Sequence, residues 1–302
     1  MEFRVLRYFL TVAREESITK AAELLFITQP TLSRQLKQLE EELGTQLLIR
    51  GKRKVTLSEA GMLLCNRAEE IVSLVEKTQR EFQEHDLKIN GQIDIGIPES
   101  DAGQRVIQLL KSFQEKYPDA TYDIYTGTAD LVKERMEKGL IDIGLLMEPS
   151  NIEKYNYINL EEKERWGILL PIDSPLAKKD SITPEDLKEV PLLVSRRYKK
   201  GKKLSNWFGT YNDQLNVVAT FNLTNNAVNM VKSGMGYATV VGGSFLGESE
   251  NKICFRPLSP TLYSRSVLAW KKHQVFSPTV NKFMEHLSTF LEYDNNGVVE
   301  SR

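Results

Sequence analysis

Ser17-Ile18-Thr19-Lys20-Ala21-Ala22-Glu23-Leu24-Leu25-Phe26-Ile27-Thr28-Gln29-Pro30-Thr31-Leu32-Ser33-Arg34-Gln35-Leu36-Lys37-Gln38-Leu39-Glu40 reads as two short helices around a tight break. Ser17 suits an N-cap, and Ile18, Ala21, Ala22 and Leu25 give the first helix a buried side. The paired alanines let a second helix pack close. The break falls around Phe26 to Thr28. Thr28 can cap the second helix, and Pro30 fits its first turn, where amides lack intrahelical partners anyway. Leu32, Leu36 and Leu39 recur at helical spacing and face inward, which leaves Gln29, Thr31, Ser33, Arg34 and Lys37 to project outward.

Those outward residues carry the chemistry for reading DNA. Gln pairs in bidentate fashion with adenine and Arg with guanine, Thr offers a methyl for thymine, and Ser and Lys serve phosphates or base edges. A helix-turn-helix places the N-terminal part of its second helix in the major groove, where this polar set begins. The alternative is an ordinary solvated face on a helical hairpin. The small alanines, the capped break and the clustered polar side chains together favour DNA.

The stretch also resembles the DNA-binding domain of the LysR-type transcriptional regulators. The matching residues run from Leu6-Arg7-Tyr8-Phe9 through Ala21-Ala22, Gln29-Pro30-Thr31-Leu32-Ser33-Arg34-Gln35 and Leu39-Glu40-Glu41-Glu42-Leu43-Gly44 to Leu57-Ser58-Glu59-Ala60-Gly61. One departure is Leu47-Leu48-Ile49-Arg50, where the family commonly has Phe; it exchanges one apolar core residue for another. With the motif residues included, the candidate DNA-binding set is Thr28, Gln29, Pro30, Thr31, Ser33, Arg34, Gln35, Lys37, Arg50, Lys52, Arg53 and Lys54.

Working outward, residues 1–16 form a first helix with Phe3, Leu6, Phe9, Leu10 and Ala13 on one side, completing a three-helix core. Two short apolar runs, Gln46 to Arg50 and Val55 to Leu57, flank the basic turn Gly51-Lys52-Arg53-Lys54 and describe a β-hairpin wing. Such charges lie against phosphates and add salt-dependent affinity. Ser58 then caps a long helix running to about His85. Leu64, Ala68, Ile71, Val75, Thr78 and Phe82 make a heptad seam along it. Leu64, Ala68, Ile71, Val75 and Phe82 are therefore candidate dimerisation residues, the alternative being that the seam docks onto the chain's own downstream domain. The resemblance places the family's dimerising linker helix here, and two half-sites related by symmetry multiply specificity.

After the polar hinge Lys88-Ile89-Asn90-Gly91-Gln92 the pattern changes to alternating strands and helices. Strands are expected at 93–97, 121–125, 141–146, 166–170, 191–194, 217–221, 237–241 and 266–270, with helices at 106–117, 129–138, 204–211, 224–233 and 278–291. The fold expected is an all-α winged helix-turn-helix with a long linker helix, followed by a C-terminal α/β two-lobed domain. The boundaries read 1–58 for the DNA-binding domain, 59–88 for the linker and 91–293 for the effector-binding domain. Lobe 1 would be about 91–161 and 267–293, and lobe 2 about 162–266. This half resembles the family's effector-binding domain, which shares its architecture with periplasmic solute-binding proteins. The resemblance rests on Gly139-Leu140-Ile141-Asp142-Ile143-Gly144, Leu169-Leu170-Pro171 with Ser174-Pro175-Leu176, and Val231 to Val241. Gly242-Gly243 departs from it, because the family often has Pro there.

Ligands of parallel sheets bind beyond the carboxyl ends of the strands. Those loops supply Ser100, Thr126, Thr128, Met147, Ser195, Arg196, Asn222 and Leu223 as candidate effector-binding residues, suited to a small anionic or carboxylate metabolite. The resemblance implies that the ligand changes the lobe arrangement and with it the spacing of the DNA-binding domains.

The 302 residues suit two or three domains, and a net charge of -1 excludes a bulk polycation, so nucleic-acid binding must be local. Cys65 and Cys254 lie far apart among apolar neighbours and read as reduced core residues of a cytosolic protein. The three histidines are scattered, so no metal site is expected, and no cofactor beyond a small-molecule effector of unknown identity. No signal peptide and no membrane-length apolar run are present, so a soluble cytoplasmic protein is expected, without membrane partners. No hydrolase elbow, zinc-protease motif or phosphate-binding loop occurs, so no enzyme is expected. The expected partners are double-stranded DNA, the effector, a second or further copies of the chain (homodimer or homotetramer), and RNA polymerase for an activator. The rival reading is a cytoplasmic solute-binding protein without a DNA role.

Overall fold

Three helices, α1 (Phe3–Glu15), α2 (Ile18–Leu24) and α3 (Gln29–Leu43), make the first core. The computed structural model describes residues 1–51, 54–83, 88–148, 151–196, 198, 202–244 and 252–295, in two units that divide after Gln83. In the first unit Ser17 caps α2, its Oγ accepting from the Lys20 amide. Ala21 and Ala22 are buried where α2 meets its neighbours, with Phe9, Val12, Leu32, Leu36 and Leu39 in the same cluster. Gly44, with φ of 65°, ends α3 in the left-handed conformation that a Cβ disfavours.

The wing is the antiparallel pair β1 (Leu48–Arg50) and β2 (Val55–Leu57). Its base is tied to α3, since Glu40 Oε1 accepts from the amides of Leu47 (2.7 Å) and Leu48 (3.0 Å). The long helix α4 (Glu59–Gln83) starts where Ser58 Oγ accepts from the Gly61 amide and donates to the Gln46 carbonyl. Gly61 is required by close approach: a Cβ there would lie 2.1 Å from the Leu47 carbonyl oxygen.

The second unit begins with β3 (Gln92–Ile97), α5 (Asp101–Lys116), β4 (Thr121–Thr126), α6 (Ala129–Glu137) and β5 (Ile143–Met147). Both β4 and β5 run parallel to β3, as two right-sized crossover helices require. The chain then enters β6 (Tyr155–Pro171), much longer than the expected strand at 166–170. The polar run Glu161 to Arg165 hides its first half from a hydrophobicity pattern. Beyond it come β7 (Leu192–Ser195), α7 (Lys202–Phe208), β8 (Val217–Phe221), α8 (Thr224–Lys232), β9 (Tyr237–Val241), β10 (Ile253–Pro257), β11 (Tyr263–Lys271) and α9 (Pro278–Asn295). β10, absent from the sequence reading, pairs antiparallel with β6.

The strand order is β4-β3-β5-β11-β6-β9-β7-β8. β6 and β11 pair antiparallel from Tyr155↔Lys271 to Arg165↔Tyr263 and so tie the two parallel halves together. One apolar core sits under α5 and α9 around Phe113 and Phe283, and another under α7 around Leu192, Val194 and Phe208. The two halves are lobes of one domain, with β6 and β11 as the crossing strands. Cys65 and Cys254 are free thiols, and burial pushes the pKa of each up.

Candidate DNA-reading surface and ligand cleft

Pro30 sits in the first turn of α3, where its missing amide is harmless, and Thr28 holds the N-cap position with extended backbone. Thr28 caps nothing with its side chain. Its hydroxyl instead meets the Thr31 hydroxyl at 2.8 Å, and Gln29 Nε2 donates to Ser33 Oγ at 2.8 Å. These pairs pre-order the polar face of the first turns. Thr28, Gln29, Pro30, Arg34 and Lys37 are exposed, while Thr31, Ser33 and Gln35 are half-buried. Arg34 has no side-chain partner among the described residues, whereas Lys37 reaches Glu41 at 3.5 Å. In the wing, Arg50 is exposed, and Lys54 Nζ lies 3.0 Å from Glu16 at the α1–α2 turn. Lys52 and Arg53 lie outside the described residues.

The candidate seam on α4 divides in two. Leu64 packs against the three-helix core and Ala68 is fully buried, so both serve the unit's own interior. Val75 is half-buried, and Ile71 and Phe82 are exposed. Leu63 and Leu74, which the heptad reading passed over, are exposed apolar residues of the same helix.

In the second unit a cavity of about 130 Å³ opens at the carboxyl ends of β5, β7 and β8. For scale, a cavity of about 150 Å³ holds benzene. It gathers Met147, Ser195 and Asn222 from the sequence-derived set. Ser100 and Thr126 line an adjoining cavity, which shares Glu99 and Ser244 with the first. Thr128, Arg196 and Leu223 line neither: Thr128 caps α6, Leu223 holds the N-cap position of α8, and Arg196 is exposed with its amide bonded to the Phe221 carbonyl. Ser100 is itself the buried N-cap of α5, accepting from Gly103.

Sequence reasoning drew on the loops that hold Glu99, Glu148 and Thr224 but left these residues, which cross between the lobes, out of its candidate set. Glu99 Oε2, beyond β3, accepts from the Thr224 amide at the start of α8 at 2.8 Å. A carboxylate of the chain itself thus occupies the kind of position a ligand anion favours. Glu148 pairs with Lys203 at 3.0 Å. Trp166, Tyr198 and Phe221 add aromatic walls. Gly243, the departure from the family pattern, lets the backbone of lobe 2 approach α5, because a Cβ there would fall 2.0 Å from Asp101 Cγ. Glu164 on β6 is 1% exposed. Ser266, at the register shift of β11, donates to its Oε1 at 3.1 Å, and Oε2 is buried without a hydrogen-bond partner. Burial pushes this carboxyl above the usual range, against the hydrogen bonds that hold it down.

Comparison with known proteins assigns both halves. Residues 3–62 match the bacterial regulatory helix-turn-helix protein, lysR family, and residues 88–292 the LysR substrate binding domain. The chain is 31% identical to the Hca operon transcriptional activator HcaR of Escherichia coli (strain K12), over 94% of this chain and 96% of that protein. In fold it resembles full-length CbnR complexed with its target DNA (TM-score 0.72, 21% identity, 96% of this chain and 99% of that one). Full-length BenM is a more distant likeness (TM-score 0.54, 24% identity, 98% of each chain).

Proposed function

The chain belongs to the LysR family of bacterial helix-turn-helix transcriptional regulators, and from that premise we propose which residues read DNA and how a ligand controls the reading. Gln29, Ser33 and Arg34 approach base edges, Thr28, Thr31 and Lys37 flank them, and the wing cations meet phosphates. The observation that carries this is the exposed, hydrogen-bond-ordered first turns of α3, with Gln29 held by Ser33 and Arg34 left to the solvent. A solute-binding protein without a DNA role has no use for such a face.

A small metabolite in the cleft is the effector. Ser100, Thr126, Ser195 and Asn222 supply hydroxyls and an amide, and Met147 supplies apolar contact. An effector that binds one lobe arrangement better shifts the population toward it, and DNA affinity then changes by the same factor as effector affinity. The relatives are transcriptional regulators, and the ligand is a signal that leaves unchanged; a turnover assay on candidate metabolites checks that. Because its target is genomic DNA, the protein works in the cytoplasm.

Two features support self-association. α4 exposes Leu63, Ile71, Leu74 and Phe82, and the sheet ends in exposed edge strands with Ile124 on β4 and Val217 and Val218 on β8. Open apolar edges of this kind are covered in stable proteins. A dimer or a dimer of dimers covers them, and RNA polymerase is a further partner if the protein activates. The experiment is to mix the purified chain with genomic DNA fragments and competitor DNA and sequence what it retains. A few sites with an inverted-repeat core are expected. Retention without any shared sequence would refute the proposed reading residues.

A further inference from the structure

Phe26, in the turn between α2 and α3, is 95% exposed and has φ of 54°. Both features work against folding. A side chain with a Cβ is disfavoured in the left-handed region, and the position just past a helix end normally goes to glycine or asparagine. The turn itself is well formed, with the Phe26 amide bonded to the Glu23 carbonyl (3.1 Å) and the Ile27 amide to the Ala22 carbonyl (3.0 Å). Asparagine would keep both bonds with less strain. The ring contributes nothing to the core, which takes Leu25 and Ile27 from either side of it. Strain and exposed apolar area at one residue of a functional turn call for a use.

We propose that Phe26 is a DNA contact, its ring packed on a thymine methyl and the adjoining deoxyribose at the rim of the major groove that receives α3. Position argues for this occupant. Phe26 lies two residues before Thr28 at the N-cap, so its Cα is within about 7.6 Å of that residue's. The N-terminal end of a recognition helix points into the groove, and that groove is about 12 Å wide, little more than the helix. The turn is therefore beside a groove wall, and Phe26 is exposed there, as Thr28, Gln29 and Pro30 are. An apolar ring has no business with phosphate oxygens. It does match the thymine methyl, the apolar mark of the major groove.

The test uses the full-length chain, F26N, and a genomic fragment that the wild type retains. Expected is a melting temperature for F26N equal to or above wild type, with affinity for the fragment lower by at least about fivefold. Replacing the fragment's thymines by uracil, one position at a time, weakens wild-type binding at a contacted position and leaves F26N binding there unchanged. Unchanged affinity of F26N overturns the proposal. So does lost affinity accompanied by a fall in melting temperature, which would make Phe26 structural. Unchanged affinity with reduced transcription in a reconstituted assay overturns it too, by assigning the ring to RNA polymerase.

Discussion

The proposed reading face of α3 and the proposed ligand cleft order their polar groups by opposite means. On α3 the partners are sequence neighbours: Thr28 with Thr31, Gln29 with Ser33, Lys37 with Glu41. A helix sets residues three and four apart side by side, so one short stretch carries its own order. In the cleft Glu99 meets the Thr224 amide, and Glu148 meets Lys203, across long separations in the chain. Those groups meet only where strand ends and helix starts converge. A change on α3 should therefore alter one DNA contact. A change in the cleft should alter the balance between lobe arrangements as well as the local contact.

The largest effect is expected where the first unit depends on a close backbone approach. Gly61→Ala normally gains helix stability by about 1 kcal/mol. Here the added methyl meets the Leu47 carbonyl, so a net loss of about 2–3 kcal/mol is expected. Thermal melting should show an early transition for the first unit, with DNA binding lost and the cleft unit still folded. A single unshifted transition would break the separation of the two units.

Arg34→Ala comes next. A loss of roughly 1–3 kcal/mol at the preferred site, with preference relaxed at one base, is the outcome for a base contact. Equal weakening on all sequences, measured by competition with random DNA, would make Arg34 a phosphate contact.

Glu164 sharpens the comparison from the cleft side. Its carboxyl is harder to ionise in the folded protein than in the unfolded chain, because it is buried. Below the ordinary carboxylate range both states hold the proton and no difference exists. As pH rises through the folded pKa the native state loses stability relative to the unfolded one. Glu164→Gln should remove that loss, raising the melting temperature by a few degrees at pH 7 and not at pH 4. Melting curves at both pH values decide it. Equal shifts at both would mean that packing, not ionisation, is responsible.

The smallest effect is expected at Lys54. Its pair with Glu16 is exposed on both sides and contributes at most about 0.5 kcal/mol. Lys54→Ala should leave melting almost unchanged and lower the salt slope of DNA binding by about one if its ammonium turns to a phosphate in the complex. An unchanged slope keeps Lys54 with Glu16.

The reading of the first unit from sequence went far because its signals are local. Ser17, the paired alanines, Pro30 and Gly44 each act within a turn or two. It still missed the role of Glu40, quoted as part of a motif, which holds the amides of Leu47 and Leu48. It also drew the α4 seam through Leu64 and Ala68, because a heptad pattern cannot tell the chain's own core from a second chain. In the second unit, strand positions were legible from apolar runs, while β10 and the first half of β6 were hidden by polar residues.

The chain alone determined the helix-turn-helix, the order of the helices and of the strands other than β10, and the loops from which a cleft is built, since periodicity and turn chemistry are properties of neighbouring residues. Only the tertiary structure decided that Glu99 sits on the start of α8, that Gly243 admits Asp101, and that Thr128 and Arg196 stay outside the cleft. Those outcomes depend on how two halves of a sheet are joined through β6 and β11, and no short stretch of sequence contains the distance between residues that far apart.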